Sequence, residues 1–120
     1  MALSTVSLST RFGANFAKET SATSTASVIS SSSVTVFVVE INNTANSVNT
    51  YVKLFNHASP TVGTTDPHVI LKAPASQKVA YQFSVGIAFG TALSVVAVTN
   101  AGTAGTSNPS SAVIVKAVYD

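Results

Sequence analysis

The stretch SSVTVFVVEINNT, residues 32–44, carries the strongest strand signal in this chain. β-Branched side chains dominate it, and such side chains favour a pleated, extended backbone. Both of its faces are largely apolar, which is typical of a central strand or of one that a partner covers. A cluster of asparagines then marks a turn. Strict alternation along the stretch predicts two faces, with Val34, Val36 and Val38 on one and Thr35, Phe37, Val39 and Ile41 on the other.

Further strand signals recur on the C-terminal side of this stretch. Residues 50–55 follow the asparagine cluster, another short strand ends at Pro74, and residues 78–83 alternate between polar and apolar side chains. A strand follows Gly90, and residues 112–120 close the chain. About seven strands, with turns roughly every 8 to 12 residues, predict an all-β fold. We expect a small antiparallel β-sandwich of the jelly-roll or Ig-like kind.

The first part of the chain differs from the rest. Residues 1–26 are mostly small and polar, show no hydrophobic period, and contain the only methionine and the only arginine. They are interpreted as an N-terminal arm that becomes ordered against a neighbour, and residues 27–120 as the β-sandwich domain. The alternative is a first strand near residues 8–12 followed by a linker.

Composition limits the classes of partner. Charged residues are 8% of the 120 residues, hydrophobic residues are 46%, and the formal net charge is +2. The six cationic side chains are scattered, so nucleic-acid binding is not expected. Few surface charges also mean weak self-repulsion, which suits a protein that sits in an assembly. Cysteine is absent, which excludes disulfides and thiolate metal sites.

The most apolar stretch is QFSVGIAFGTALSVVAVTN, residues 82–100. Polar residues interrupt it well short of the roughly 18 apolar residues that a spanning helix needs, so no membrane segment is expected. The first twenty residues also lack the apolar region of a secretory signal. We interpret the stretch as a bend at residues 86–90 followed by a core strand. Ile87 and Phe89 are then either buried or offered to a sister subunit.

Candidates for chemistry are few. His57, Asp66 and His68 are close in sequence, but their spacing matches no metal site and no catalytic triad. The chain is therefore expected to be no enzyme and to hold no metal or cofactor. Glu40 lies in an apolar strand, where it either pairs with Lys53 across the sheet or makes an edge polar.

Five aromatic side chains could form either a ligand platform or part of the core. Most of them fall on alternating inward positions of the predicted strands, which favours core packing. They are Tyr51, Phe55, Tyr81, Phe83 and Phe89.

Three segments resemble small structural proteins of tailed bacteriophages, notably those of cyanobacterial phages. They are YVKLFNHASPTVGTTDPHVILKAP (51–74), VGIAFGTALSVVAVTN (85–100) and VIVKAVYD (113–120). The resemblance covers roughly residues 48–120. One departure is Gly90-Thr91-Ala92, which stands where Ser-Thr-Gly is usual in that group and moves the flexible point of the turn.

The resemblance implies a virion β-sandwich without enzymatic activity. The leading hypothesis is a capsid decoration (cement) protein, a homotrimer or homodimer that binds the major capsid protein on the capsid surface. Alternatives are a tail, neck or fibre-attachment subunit and a carbohydrate-binding module for the host surface. The candidate interface residues are Arg11, Phe12 and Phe16 of the arm, because arginine and aromatic residues lead interface hot spots, together with Ile87 and Phe89.

Overall fold

Short apolar runs separated by turn residues fold as strands in the part of the chain that the structure describes. The structure is a computed structural model that describes residues 15–120. Within this range the chain forms eight strands and no helix. The strands are β1 (Asn15–Ala22), β2 (Ser27–Ser30), β3 (Val34–Asn42), β4 (Thr50–Phe55), β5 (Val69–Ala73), β6 (Lys78–Phe89), β7 (Leu93–Val98) and β8 (Val113–Tyr119).

The strands form two four-stranded sheets that pack as a sandwich. Sheet A has the order β1-β8-β3-β6, and sheet B has the order β2-β7-β4-β5. All neighbouring strands are antiparallel. The prediction of an all-β antiparallel sandwich is therefore confirmed, with eight strands where about seven were expected.

Part of the segment that was interpreted as an arm belongs to the sandwich. Residues 15–22 form β1, which pairs with β8 so that Asn15 lies opposite Tyr119. A polar edge strand of this kind is held by its ladder to β8 rather than by an apolar face, so its composition resembles that of a linker. Sheet A therefore includes residues 15–22. The alternative strand near residues 8–12 lies outside the described residues.

The core lies between the two sheets. β3 and β8 of sheet A and β4 and β7 of sheet B occupy the middle of their sheets, so their inner side chains are covered on all sides. These side chains are aliphatic and close-packed, which is the main source of stability in a domain of this size. The buried cluster includes Val36, Val39, Ile41, Val52, Leu54, Val95, Ala97, Val113 and Val115.

A β-bulge corrects the predicted faces of β3. Val36 lies opposite Tyr119 of β8, and Val38 lies opposite Val118, so Phe37 is an extra residue on β3. An extra residue shifts the alternation by one position. Val36 and Val39 are consequently both buried in the core, although strict alternation placed them on opposite faces.

A second and larger bulge lies in β6. Val36 pairs with Ile87 and Val38 pairs with Gln82, so residues 83–86 of β6 lie opposite Phe37 alone. Gly86 has a φ of +78°, and a Cβ added there would collide with the side chains of Thr35 and Phe37. Only glycine fits both conditions.

The stretch 82–100 crosses from one sheet to the other. β6 ends at Phe89 in sheet A, and β7 begins at Leu93 in sheet B. The turn at residues 90–92 joins them, and every residue of β7 is buried. The predicted core strand is therefore confirmed, whereas the bend predicted at residues 86–90 is wrong in position, because residues 86–89 belong to β6 and the chain turns at residues 90–92.

A buried polar network ties together the loops at one end of the sandwich. The Asn43 amide donates to the carbonyl oxygens of Val48 (3.0 Å) and Pro74 (3.1 Å). Its side-chain oxygen accepts from Asn46 Nδ2 and Thr50 Oγ1, both at 2.9 Å. Across residues 15–120, every buried side-chain nitrogen or oxygen has a hydrogen-bond partner. The asparagine cluster therefore forms a hydrogen-bond network that connects these loops, in addition to the turn that the sequence predicts.

Candidate functional site

The middle of the outer face of sheet B is covered by the protein itself, whereas Val28 and Ile70 on its two edge strands stay exposed. Phe55, Val96 and Val98 point away from the core between the sheets, yet they are fully buried. The connection between β7 and β8, residues 99–112, reaches this face, because Lys53 Nζ donates to two of its backbone carbonyls. The loop therefore replaces solvent over the middle of sheet B.

Lys53 holds the loop of residues 99–112 against sheet B through hydrogen bonds. Its ammonium donates to the carbonyl oxygens of Gly105 (2.8 Å) and Thr103 (3.2 Å). Thr103 Oγ1 also lies 3.1 Å from a carboxylate oxygen of Asp66. This contact connects the loop between β4 and β5 to the loop of residues 99–112. Burial of the Lys53 side chain lowers the pKa of its ammonium below the ordinary value, because desolvation penalises the charged form.

The outer face of sheet A, in contrast, stays in contact with solvent. Its register aligns three apolar side chains in a row across neighbouring strands, with Phe16 opposite Val118 and Val118 opposite Val38. Phe16 is 61% exposed, and the other two are half-buried. We call these three residues the apolar row. Apolar side chains grouped on one exposed face indicate an interaction surface.

Beside the apolar row lies a cluster of ionic side chains. Glu40 is 3.9 Å from Lys78 Nζ and 3.8 Å from Lys116 Nζ. Lys18 lies opposite Lys116 in the ladder, so its side chain is on the same face. The expected pairing of Glu40 with Lys53 is wrong, because the two residues belong to different sheets.

The five candidate interface residues are in three different situations. Arg11 and Phe12 lie outside the described residues. Phe16 is exposed in the apolar row, on the face that has room for a partner. Phe89 is fully buried, and Ile87 packs against the core. These two are corrected from interface candidates to core residues, because β6 turns their side chains toward sheet B.

The histidines and Asp66 are held apart in separate contacts. His57 Nδ1 accepts from the backbone N–H of Ser59 at 2.8 Å. His68 Nε2 is 3.0 Å from the carbonyl oxygen of Ala88, and its ring meets the edge of Phe89 at a centroid distance of 4.8 Å. Within residues 15–120, no three His, Cys, Asp or Glu side chains are grouped as metal ligands. The contact of His57 stays within its own loop, and that of His68 joins the segment before β5 to β6.

Three of the five aromatic residues pack in the core, as expected, whereas Tyr51 and Phe55 lie on the outer face of sheet B. Phe55 and Phe89 are fully buried, whereas Tyr81 and Phe83 are partly buried against the core. The Tyr81 hydroxyl donates to the carbonyl oxygen of Lys72 at 2.6 Å, which joins the edge strands β6 and β5 of the two sheets. Tyr51 is half-buried on the covered face of sheet B. None of the five forms an exposed platform.

Sequence reasoning missed two features of the site. The first is the buried Lys53, which attaches the loop of residues 99–112 to sheet B. The sequence signal for it was a single lysine within the apolar run YVKLF. The second is the apolar row itself, because Phe16, Val38 and Val118 are far apart in sequence and only the register brings them together. No local pattern could have grouped them.

Comparison with known proteins adds no relative. No protein-family model matches the chain, and no curated protein or solved structure matches it significantly. Within residues 15–120 there is also no helix that could cross a membrane.

Proposed function

We propose that this chain is a virion structural protein of a tailed bacteriophage, and that it decorates the capsid by binding the assembled shell of major capsid protein. The observation that carries the proposal is the outer face of sheet A, where an exposed apolar row lies beside lysines. Its support from the sequence is the resemblance of residues 48–120 to phage structural proteins. A face of this kind serves binding to a large, flat partner rather than catalysis.

The mechanism is mass action. A protein that binds the assembled shell and not the free capsid subunits stabilises the shell by its binding free energy. Each contact is weak, but identical contacts repeated over the shell, and within a dimer or trimer of the chain, act together. Arg11 and Phe12 add contacts from the segment that precedes β1.

The test uses capsid shells of the same phage that lack this protein. Purified chain is incubated with the shells, the bound copies per shell are counted after sedimentation, and the temperature at which the shells break is measured. We expect binding that saturates in proportion to the capsid subunits and a higher breaking temperature. Absence of binding to intact shells would refute the decoration function.

The number of bound copies also distinguishes the alternative of a tail or neck subunit. A component of that kind occupies one vertex, so only a few copies would bind each particle, and they would bind tails and not empty shells. Light scattering of the purified chain over a concentration series measures the proposed dimer or trimer.

A truncation tests the contribution of the segment before β1. Deletion of residues 1–14 removes Arg11 and Phe12 and leaves β1 and Phe16 in place. We expect lower occupancy on shells with an unchanged melting temperature of the chain. A longer deletion that enters β1 would remove the edge strand of sheet A. A loss of shell binding could then no longer be separated from a loss of stability.

A further inference from the structure

The apolar row continues into a cavity between β3 and β6. The cavity has a volume of about 420 Å³ and is lined by Phe37, Val38, Gln82, Phe83 and Ser84. Val38 belongs to the row as well as to the cavity lining, so the cavity adjoins the row. A lining that is mainly apolar with a few polar groups is typical of a pocket that accepts an apolar group.

The backbone builds this cavity into the fold. Residues 83–86 bulge away from the ladder opposite Phe37, and Gly86 lets the bulge pass close to the Thr35 and Phe37 side chains. Val85, in the same bulge, is 90% exposed. A pocket with an exposed apolar side chain beside it is the arrangement in which interface hot spots occur.

The charges beside the apolar row indicate the chemistry of the partner. Lys18, Lys78 and Lys116 share the face with Glu40, and Asp120 pairs with Thr35 at the end of the same face, which gives three positive charges against two negative and a net charge of +1. The other described ionic residues have no net charge, with Glu19 and Asp66 against Lys53 and Lys72. The positive charge of the described chain is therefore concentrated on the outer face of sheet A.

We propose, on the premise of the function above, that the outer face of sheet A docks an acidic protein surface and that an apolar side chain of this surface enters the cavity. The partner's carboxylates then meet the lysines, and complementary charge speeds the encounter and sets the orientation. A second copy of the chain presenting the same face is disfavoured, because two faces of net positive charge repel each other. A nucleic acid would leave the apolar row and the cavity without an apolar partner.

Two pairs of variants test the proposal on the shells described above. Lys18→Glu reverses a charge on the docking face, and Lys72→Glu makes the same change in net charge on the exposed side of β5, in sheet B. Gln82→Trp fills the cavity from an exposed position, and Gln82→Ala shortens the same side chain without filling it. Circular dichroism and thermal melting of each variant show that it folds.

We expect Lys18→Glu to weaken shell binding by about tenfold at low salt and by less at high salt, whereas Lys72→Glu changes it by less than about twofold. Gln82→Trp weakens binding by about tenfold or more, and Gln82→Ala by less than about threefold. The same proteins are also titrated with double-stranded DNA.

The outcomes separate this inference from the function on which it depends. If the wild-type chain binds shells and all four variants bind equally well, the docking face is wrong while the decoration function stands. If Lys18→Glu weakens binding to DNA but not to shells, the lysines serve a nucleic acid and the inference is overturned. If the wild-type chain binds no shells, the function and the inference fail together.

Discussion

The outer faces of the two sheets differ in how far the rest of the chain covers them. Both sheets have four antiparallel strands and both contribute their inner faces to one core. The loop of residues 99–112 reaches the outer face of sheet B and holds Lys53 through backbone carbonyls. The outer face of sheet A keeps Phe16 and its lysines in water. One face therefore contributes to stability, and the other is available for binding.

The comparison also shows how a chain with few charges uses them. On sheet A, lysines are exposed and gather around a single carboxylate, where each pair is worth little because water screens it. On sheet B, a single lysine is buried and its ammonium is satisfied by neutral carbonyls. The same residue type is thus exposed to solvent on one face and attaches a loop on the other.

The largest expected difference between the faces comes from two phenylalanines. Phe55→Ala removes a fully buried ring from the covered face and should lower the free energy of unfolding by about 3–5 kcal/mol. Phe16→Ala removes an exposed ring from the open face and should change it by less than about 0.5 kcal/mol. Urea unfolding followed by circular dichroism measures both. Equal losses would mean that the open face is covered in solution.

The second prediction concerns the anchor of the covering loop. Lys53→Met keeps the apolar stem and removes the ammonium, so the carbonyls of Thr103 and Gly105 lose their donor. We expect a loss of about 1.5–3 kcal/mol in the free energy of unfolding. Hydrogen exchange should also become faster in residues 99–112. Lys72→Met, at an exposed position, is the control and should have little effect.

The pH dependence of the stability of the wild type and of Lys53→Met tests whether the Lys53 ammonium is desolvated in the folded protein. Burial lowers the pKa of Lys53 in the folded state below its ordinary value of 10.5, so the unfolded chain binds the proton more tightly. Wild-type stability should therefore rise relative to Lys53→Met as pH increases through the interval between the folded-state pKa and 10.5. A constant difference between the two proteins from neutral pH to pH 10.5 would show that the ammonium is well solvated.

The third prediction tests whether the bulge on the open face depends on backbone geometry. Gly86→Ala places a Cβ against Thr35 and Phe37 at a positive φ, which should cost about 1–3 kcal/mol of stability. Gly90→Ala meets nothing within 4 Å and should change stability by less than about 1 kcal/mol. Thermal unfolding compares the two. If Gly86→Ala matched Gly90→Ala, the bulge would be flexible and the cavity would not be preformed.

The smallest effect is expected at the ionic cluster of the open face. Glu40→Gln removes the carboxylate that faces Lys78 and Lys116, both at partly exposed positions. Stability should fall by about 0–1 kcal/mol at low salt, and the loss should disappear at high salt. Chemical unfolding at two salt concentrations measures it. A loss that salt does not reduce would indicate that the cluster is buried by another part of the chain or by a second copy.

Much of the fold could be predicted from local patterns, and most of the candidate site could not. The alternation in residues 78–83 correctly placed Val79, Tyr81 and Phe83 toward the core. The same rule wrongly placed Val36 and Val39 on opposite faces, because the bulge at Phe37 is decided by the ladders to β6 and β8. It also missed β1, a polar edge strand whose only strand signal is its pairing with β8.

The amino-acid sequence by itself predicted an all-β sandwich, because β-branched runs separated by turns at short spacing favour strands, and two stacked sheets bury the apolar faces of such strands. Only the tertiary structure decided which outer face is covered and which is open. Lys53 meets Gly105 across 52 positions of the chain, and Phe16 meets Val118 through an antiparallel ladder. Contacts at such separations depend on register and loop closure, and neither leaves a mark in the local order of residues.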